Sequence, residues 1–330
     1  TNTDKGVYTM KIIAIEEHFW TDELRDYLYS KQEGGRVWLD ADIADRLSDV
    51  GEGRIREMDE NGIDMQVLCM ASGLESIDAS EATAMACNIN DRLSVVIKEH
   101  PERFSGFAAL APQDPDAAAS ELERAVKELG LKGAKINSHV RGEHLDNEKY
   151  WAIFESAEKL GVPIYIHPRR PSTDMLKLYE NYPVLTGSIW GFAADTGLHA
   201  MKLIFSGVFD KYPGLKIILG HLGEAVPFWL GRIDNRWEKE KGASDINNTK
   251  LKKKPGQYFK ENFFVTTSGM FWQPPLLCTY MVLGAEKILF AVDYPYESNR
   301  DAVELIDAMT ICDSDKEKIC HLNAERLLSL

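Results

Sequence analysis

Four short apolar runs of the sequence end in side chains that can bind a metal or transfer a proton. One of them, V-P-I-Y-I-H, ends at His167, and the same arrangement recurs in K-I-I-A-I-E-E-H, L-K-I-I-L-G-H and K-I-L-F-A-V-D. The candidate residues at these ends are Glu16, His18, His167, His221 and Asp293. Imidazoles and carboxylates together suit a divalent transition metal, either Zn²⁺ or, given the oxygen ligands, Mn²⁺. The sequence therefore predicts one metal-dependent site where the four runs end.

The runs that carry these residues indicate buried parallel strands, because they are apolar throughout. Eight strands are expected, at residues 11–16, 64–70, 103–110, 133–137, 162–167, 215–220, 263–267 and 287–292. Helices are expected at 51–61, 80–100, 116–129, 147–160, 191–205, 225–239, 274–283, 300–309 and 315–328. This alternation predicts an α/β fold, a (β/α)8 TIM barrel with its chemistry at the carboxyl ends of the strands. An open doubly wound sheet usually has a Gly-rich loop after its first strand, where this chain has E-E-H-F-W.

One barrel accounts for nearly the whole chain. We predict a single domain over residues 11–330, preceded by a flexible lead-in at residues 1–10. Residues 19–50 make a long connection for a barrel, which indicates an active-site loop or an insertion.

Composition limits the class of partner. The chain has 330 residues, 44% apolar and 27% charged, which is ordinary for a globular protein. Its net charge of −14 argues against a nucleic-acid or membrane-surface partner. The five cysteines form no C-x-x-C pair, and no apolar stretch approaches the ~20 residues of a membrane span. The polar first nine residues lack the apolar core of a signal peptide, so we expect a cytoplasmic protein with a small-molecule substrate.

Sequence blocks in the order E-E-H-F, Y-I-H-P, G-H-L-G-E and V-D-Y-P-Y-E extend from the first strand to the last. With these blocks the chain resembles the amidohydrolase superfamily, a group of metal-dependent barrels. Within it, the chain is similar to the decarboxylases of γ-resorcylate, 2,3-dihydroxybenzoate and 5-carboxyvanillate. Superfamily hydrolases typically begin with H-x-H, whereas here the first position is Glu16, as in the decarboxylases.

The resemblance implies a role for each candidate residue. The implied metal ligands are Glu16, His18, His167 and Asp293, and the implied catalytic residues are Asp293, His221 and Glu224. Glu224 follows His221 by three residues at a predicted helix start, so it could orient the imidazole. Arg232 matches an arginine that the resorcylate enzymes use around the substrate.

The implied reaction is a non-oxidative decarboxylation of a hydroxylated aromatic acid, reversible under high bicarbonate. A proton is added to the ring carbon that bears the carboxylate, and CO₂ then leaves. No redox step occurs, so no organic cofactor is expected. Aromatic residues that flank the site segments are candidates for the pocket wall, and these are Phe19, Trp20, Trp190, Phe192, Tyr294 and Tyr296.

Two questions stay open at the level of the sequence. A metal-dependent hydrolase of an amide or lactone would use similar residues, and its binuclear form would need a lysine such as Lys135. Lys135 lies two residues before the strand end at Asn137, so one metal ion is expected. The substrate depends on the loop after strand one and on A-S-G-L-E-S-I-D after strand two, where the resorcylate enzymes have a Pro-Gly stretch. His139 could also reach the site.

The relatives are usually dimers or tetramers. We therefore expect a homodimer or homotetramer, with aromatic residues after strand six as candidates for the interface. These are Phe228, Trp229 and Trp237.

Overall fold

Short parallel strands form the centre of the molecule. The computed structural model describes residues 10–30, 40–71, 73–241 and 251–330, so residues 1–9 of the predicted lead-in lie outside the described residues. The strands in these ranges are β1 Ile13–Phe19, β2 Met65–Met70, β3 Phe104–Gly106, β4 Ala108–Ala109, β5 Ala134–Asn137, β6 Ile164–His167, β7 Ile217–Leu219, β8 Phe263–Thr266 and β9 Ile288–Leu289.

All strand pairs are parallel and follow chain order. The ladders run β1-β2-β3 and β4-β5-β6-β7-β8-β9. β3 and β4 are two halves of one predicted strand, separated at Phe107. The Phe107 N–H bonds to the Leu68 carbonyl at 2.9 Å, whereas the Ala108 N–H turns to Gly133 at 2.8 Å. The strand therefore bridges the two ladders.

The remaining seam lies between the last strand and the first. The Ile15 N–H donates to the Phe290 carbonyl at 3.2 Å, and the His18 N–H donates to Tyr294 at 2.7 Å. Between them, the Asp293 N–H donates to the Glu16 carbonyl at 3.1 Å. These bonds close the sheet into the predicted eight-stranded barrel.

A register shift in β1 sets which side chains reach the barrel axis. Ile13 and Ile15 belong to the inner core cluster with residues such as Val67 and Phe264. The pairing of β1 with β2 shifts between Ala14 and Glu17. Because such an irregularity interrupts the strict alternation of a strand, Glu16 and His18 turn to the axis after Ile15.

The helices surround the barrel. They cover Asp22–Ser30, Ala41–Ser48, Glu52–Asn61, Ala79–Glu99, Pro115–Lys127, Trp151–Leu160, Thr173–Leu176, Gly191–Ser206, Val208–Lys211, Val226–Glu240, Pro255–Asn262, Gln273–Leu283, Asn299–Ala308, Asp313–Glu317 and Asn323–Leu328. Short 3₁₀ turns lie at Glu148–Tyr150, Lys177–Tyr179, Pro183–Thr186 and Ala285–Lys287. No helix in the described parts of the chain is long and apolar enough to span a bilayer.

The helix predictions differ from the structure in three respects. The helices Thr173–Leu176, Val208–Lys211 and Pro255–Asn262 were not predicted. The long connection at 19–50 contains two helices among its described residues. The expected helix at 315–328 is divided by the wider turn Lys318–Leu322. Gly62 and Gly161 end their helices in the left-handed conformation, with φ of 71° and 69°.

Candidate active site

Four of the predicted side chains converge at the carboxyl end of the barrel. One possible ligand atom from each of Glu16, His18, His167 and Asp293 lies within 4.8 Å of the others. His18 Nε2 is 2.9 Å from Asp293 Oδ1, and His167 Nε2 is 3.4 Å from Glu16 Oε1. Two imidazoles and two carboxylates at this spacing form a donor set suited to a divalent ion.

The surroundings of Glu16 fit a bound cation. The side chain is fully buried, and its Oε2 accepts a hydrogen bond from Thr266 Oγ1 at 3.0 Å. Its Oε1 has no hydrogen-bond partner among the described residues. Burial raises the pKa of Glu16. A buried carboxylate oxygen without a partner costs free energy, and a cation held by the four side chains would remove that cost.

The other ring nitrogen of His18, Nδ1, contacts a cysteine. Cys69 Sγ, at the end of β2, lies 3.3 Å from His18 Nδ1, which leaves Nε2 to face the cluster. Lys135 Nζ is also buried, and it donates to the Met70 carbonyl at 2.7 Å. Burial lowers the pKa of Lys135, and its amine caps the end of β2.

A left-handed turn after β7 presents the pair His221 and Glu224. Residues 221–225 all have positive φ, between 52° and 81°. Only glycine adopts this region without strain, so four non-glycine residues in it mark a turn that the surrounding structure enforces. The turn brings His221 Nδ1 to 2.8 Å from Glu224 Oε1. The Ser268 hydroxyl holds the turn further, since it accepts from the His221 N–H at 3.2 Å.

The electrostatics of the pair keep a proton on the histidine. Burial alone would lower the pKa of His221, but the Glu224 and Asp293 carboxylates outweigh it and raise the pKa well above its usual value. Burial would raise the pKa of Asp293, but the hydrogen bond with His18 and the nearby imidazole of His221 lower it. His221 Nε2 lies 3.7 Å from Asp293 Oδ2, close enough for an ion pair but beyond hydrogen-bond distance.

Glu17 fixes the peptide groups on either side of Asp293. Its carboxylate accepts from the Val292 N–H at 2.9 Å and from the Tyr294 N–H at 3.3 Å. Asp293 itself has a φ of 79°, a conformation that needs such support. Sequence reasoning missed Glu17, although it is the second acidic residue of the E-E-H block.

A cavity of about 880 Å³ opens over the cluster. The predicted catalytic residues His221 and Asp293 lie in its wall with His167. Its other wall residues include Ala71, Gly73, Ser76, Ile77, Asn137, Arg169, Phe192, Tyr296 and Glu297. The mixture of aromatic and polar groups suits a small aromatic molecule with polar substituents.

Only some of the predicted aromatic residues reach this cavity. Phe192 and Tyr296 line it, and the Tyr296 ring lies 5.5 Å from the ring of His18. Phe19 and Trp20 are buried in the core instead, and Trp20 Nε1 donates to Ser48 Oγ at 2.7 Å. Tyr294 is buried too, beneath the Arg54 guanidinium.

Trp190 and Arg232 lie elsewhere, in the wall of a second hollow of about 450 Å³ that also contains Trp229. Trp190 is 61% exposed. His139 is not among the residues that line the main cavity, and its Nε2 lies 2.8 Å from the Arg170 carbonyl. The second hollow is predominantly apolar and faces outward.

Sequence reasoning did not single out three polar residues at the cavity. Asn137 is the last residue of β5, so the strand-end argument would have found it if amides had been included. Arg169 follows His167 by two residues. Glu75 is buried behind both, in the loop after β2 that was expected to determine the substrate.

Comparison with known proteins identifies the family. The profile described as "Amidohydrolase" matches residues 13–330. The chain belongs to the amidohydrolase family. A γ-resorcylate decarboxylase from Polaromonas sp. (strain JS666 / ATCC BAA-500) is 39% identical over 329 residues, which cover 96% of this chain and 98% of the relative.

Solved structures of amidohydrolase-family decarboxylases have the same fold. The 5-carboxyvanillate decarboxylase from Sphingomonas paucimobilis superposes with a TM-score of 0.92 at 36% identity, covering 97% of this chain and 99% of that one. A dihydroxybenzoic acid decarboxylase from Polaromonas sp. JS666, with bound manganese and 2-nitroresorcinol, gives 0.89 at 38% identity, covering 97% of each chain. The predicted barrel and the predicted aromatic-acid decarboxylase branch are confirmed.

Proposed function

We propose that this amidohydrolase-family protein is a carbon–carbon lyase that decarboxylates a hydroxylated aromatic acid without oxidation. The observation that carries the proposal is the four-residue cluster beside the His221–Glu224 pair, at the floor of one cavity. The full-length similarity to aromatic-acid decarboxylases supports the reaction class.

In this proposal Glu16, His18, His167 and Asp293 hold one divalent ion. When bound, the ion would fix the substrate carboxylate and its ortho-hydroxyl and offset their charge. Zn²⁺ was the first choice from the sequence, but we propose Mn²⁺. Two carboxylates supply oxygen ligands, and a relative of known structure holds manganese.

The chain's own groups supply the proton. Asp293 lies between His18 and His221, so a proton from His221 reaches the ring carbon through the Asp293 carboxyl group. The new C–H bond makes that carbon tetrahedral. The C–C bond to the carboxylate then breaks, its electron pair restores the aromatic ring, and CO₂ leaves. Glu224 keeps the imidazole oriented and offsets its charge.

Phe192 and Tyr296 provide the apolar walls that hold the ring over the cluster. The Lys135 amine donates to the carbonyl of Met70 at the end of β2. This contact supports a site for one ion rather than two. We also propose that residues 11–330 form one barrel domain.

Exposed aromatic residues beside the second hollow support the expected self-association. Trp190, Phe228 and Trp229 are 61%, 70% and 49% exposed and lie near Arg232. Exposed apolar surface of this kind is typical of an interface, and we propose a homodimer or homotetramer. Trp237, by contrast, is half-buried and packs on Phe205 with 5.3 Å between ring centroids.

The test is an assay of the manganese-loaded protein on hydroxybenzoates and vanillate-type acids, with CO₂ release as the readout. A panel of lactones and amides is run in parallel, because hydrolysis is the competing reaction for this donor set. Decarboxylation of at least one acid is expected. Turnover of a lactone or amide without CO₂ release from any acid would assign the protein to the hydrolases.

A further inference from the structure

The loop after β2 places a buried carboxylate directly behind the cavity wall. Glu75 is 2% exposed. Its Oε1 accepts from the Asn137 backbone N–H at 2.8 Å, and its Oε2 accepts from Asn137 Nδ2 at 3.1 Å. Gly73 makes room for this pairing, because a Cβ there would overlap both Asn137 Nδ2 and Glu75 Oε2.

The pairing fixes the orientation of the Asn137 amide. Rotating the amide by half a turn would place Oδ1 against the Glu75 carboxylate, so the nitrogen is held on the Glu75 side. Within the described residues, Oδ1 accepts no hydrogen bond. Asn137 lines the cavity and pairs in register with His167 of the metal cluster. The cavity wall beside the cluster therefore presents a hydrogen-bond acceptor.

Arg169 also lies in this wall, and its positive charge offsets the negative charge of Glu75. Its Nη2 donates to Ser76 Oγ at 2.9 Å, and its Nη1 donates to the His139 carbonyl at 3.2 Å. Nη1 also lies 3.7 Å from Glu75 Oε2. The Arg169 guanidinium is anchored and already paired with a carboxylate. This wall therefore favours a substrate with a neutral hydrogen-bond donor over a substrate with a second anionic group.

We propose that Glu75 is a positioning residue that sets substrate selectivity by holding the Asn137 carbonyl oxygen toward the cavity. That oxygen accepts a hydrogen bond from a second phenolic hydroxyl of the substrate. The first hydroxyl, ortho to the carboxylate, is the one that the ion would hold. Dihydroxylated acids are then preferred over monohydroxylated ones, because a site built around an acceptor loses a bond when the donor is missing. The inference rests on the proposed function and names the residues that select its substrate.

The experiment compares the wild type with Glu75→Gln on salicylate and on 2,3-, 2,4- and 2,6-dihydroxybenzoate. We expect the wild type to prefer its best dihydroxybenzoate over salicylate by about tenfold in kcat/KM, the value of one hydrogen bond of ~1.4 kcal/mol. Glu75→Gln replaces an acceptor by a donor and releases the Asn137 amide. The preference should fall toward unity, because kcat/KM for the best dihydroxybenzoate falls more than kcat/KM for salicylate, while the manganese content stays near the wild-type value.

The matched control is Glu121→Gln. Glu121 is also buried, and it accepts from Asn90 Nδ2 at 2.7 Å and from Arg124, but it lies on the helix Pro115–Lys127 away from the cavity. Its amide variant should lose stability and keep the substrate preference. Gly73→Ala is a second test variant, and it should lower the preference in the same direction as Glu75→Gln.

Dissociation constants of the same acids are measured on the manganese-loaded proteins, so that the inference does not depend on turnover. A preference that survives in both Glu75→Gln and Gly73→Ala overturns the inference and leaves the proposed function intact. An equal loss on salicylate and the dihydroxybenzoates shows a merely structural role and also overturns it. If the wild type neither binds nor converts any of these acids, the inference fails, and the assay on vanillate-type acids decides separately whether the proposed function stands.

Discussion

His221 Nε2 and Asp293 Oδ2 lie 3.7 Å apart, although one residue follows β7 and the other follows β9. The other oxygen of Asp293 is 2.9 Å from His18, a member of the candidate metal cluster. Asp293 therefore links the cluster to a histidine whose pKa is raised by its carboxylate neighbours. In the proposed mechanism, the group that would store the proton is therefore distinct from the four groups that would hold the ion.

Replacing His221 separates proton transfer from metal binding. His221→Asn should lower kcat by about a thousandfold, because a general acid contributes roughly 10²–10⁴ in rate. The manganese content should stay at the wild-type level, since His221 is not one of the four clustered ligands. Metal analysis and CO₂ release are measured on the same preparation. His100→Asn is the control, because His100 lies at the end of the helix Ala79–Glu99. Full activity of His221→Asn would remove this residue from the mechanism.

Removing the ion should destabilise the protein. Without a cation, the buried Glu16 and the partly buried Asp293 carboxylates remain at the same cluster, with one oxygen of Glu16 lacking a hydrogen-bond partner among the described residues. An ion present at a thousand times its dissociation constant adds about 4 kcal/mol to the free energy of unfolding. Chelation should therefore abolish turnover and lower Tm, and added Mn²⁺ should restore both. In His167→Ala, Tm should no longer respond to Mn²⁺; an unchanged response would exclude His167 as a ligand.

Gly220 provides a test of how tightly Glu16 is held. A Cβ at this position would lie 3.3 Å from both carboxylate oxygens of Glu16 and 3.2 Å from the Tyr165 hydroxyl. Gly220→Ala should displace Glu16 by a few tenths of an ångström and weaken manganese binding by about tenfold, in the range of changes that disturb ligand orientation. Gly231→Ala is the control, because its added Cβ meets no atom within 4 Å. Equal manganese affinities of the two variants would contradict the prediction.

Lys287 should make stability rise with pH above neutrality. Burial, with the nearby positive charges of Lys216 and Arg326, lowers the pKa of Lys287 to about 8. An unfolded chain keeps this proton until about pH 10.4, so between these values the unfolded state binds more protons and folding becomes more favourable. In Lys287→Met this part of the rise should be absent. Urea unfolding at pH 7 and pH 9.5 measures it, with the exposed Lys239→Met as control. The same rise in Lys287→Met as in the wild type would show that this lysine is not responsible.

The barrel and the convergence of the four candidate ligands could be predicted because both follow from local patterns. Apolar runs identify strands, and a polar residue at the end of a parallel strand must face the carboxyl rim, as His167 does. The sequence did not reveal that β1 changes register or that residues 221–225 form a left-handed turn. Both depend on contacts with distant segments, such as the hydrogen bond between His221 and Ser268.

The residues of the cavity wall were predicted less well than the candidate metal ligands at its floor. Trp20 and Trp190 flank site segments in the sequence, but one packs into the core and the other faces outward. Proximity along the chain does not determine where a side chain points in a long connection. Glu75 and Asn137 meet across 62 residues, and no local pattern indicates such a pair.

The seam between β9 and β1 makes the candidate site depend on two segments that lie far apart in the sequence. His18 and Asp293 are separated by 275 residues and meet only when the last strand hydrogen-bonds to the first. A chain that stops before residue 293 has three of the four candidate ligands, and it lacks the seam hydrogen bonds from Asp293 to Glu16 and from His18 to Tyr294. In the proposed site, all four ligands would therefore be present only after the segment that follows β9 has emerged from the ribosome.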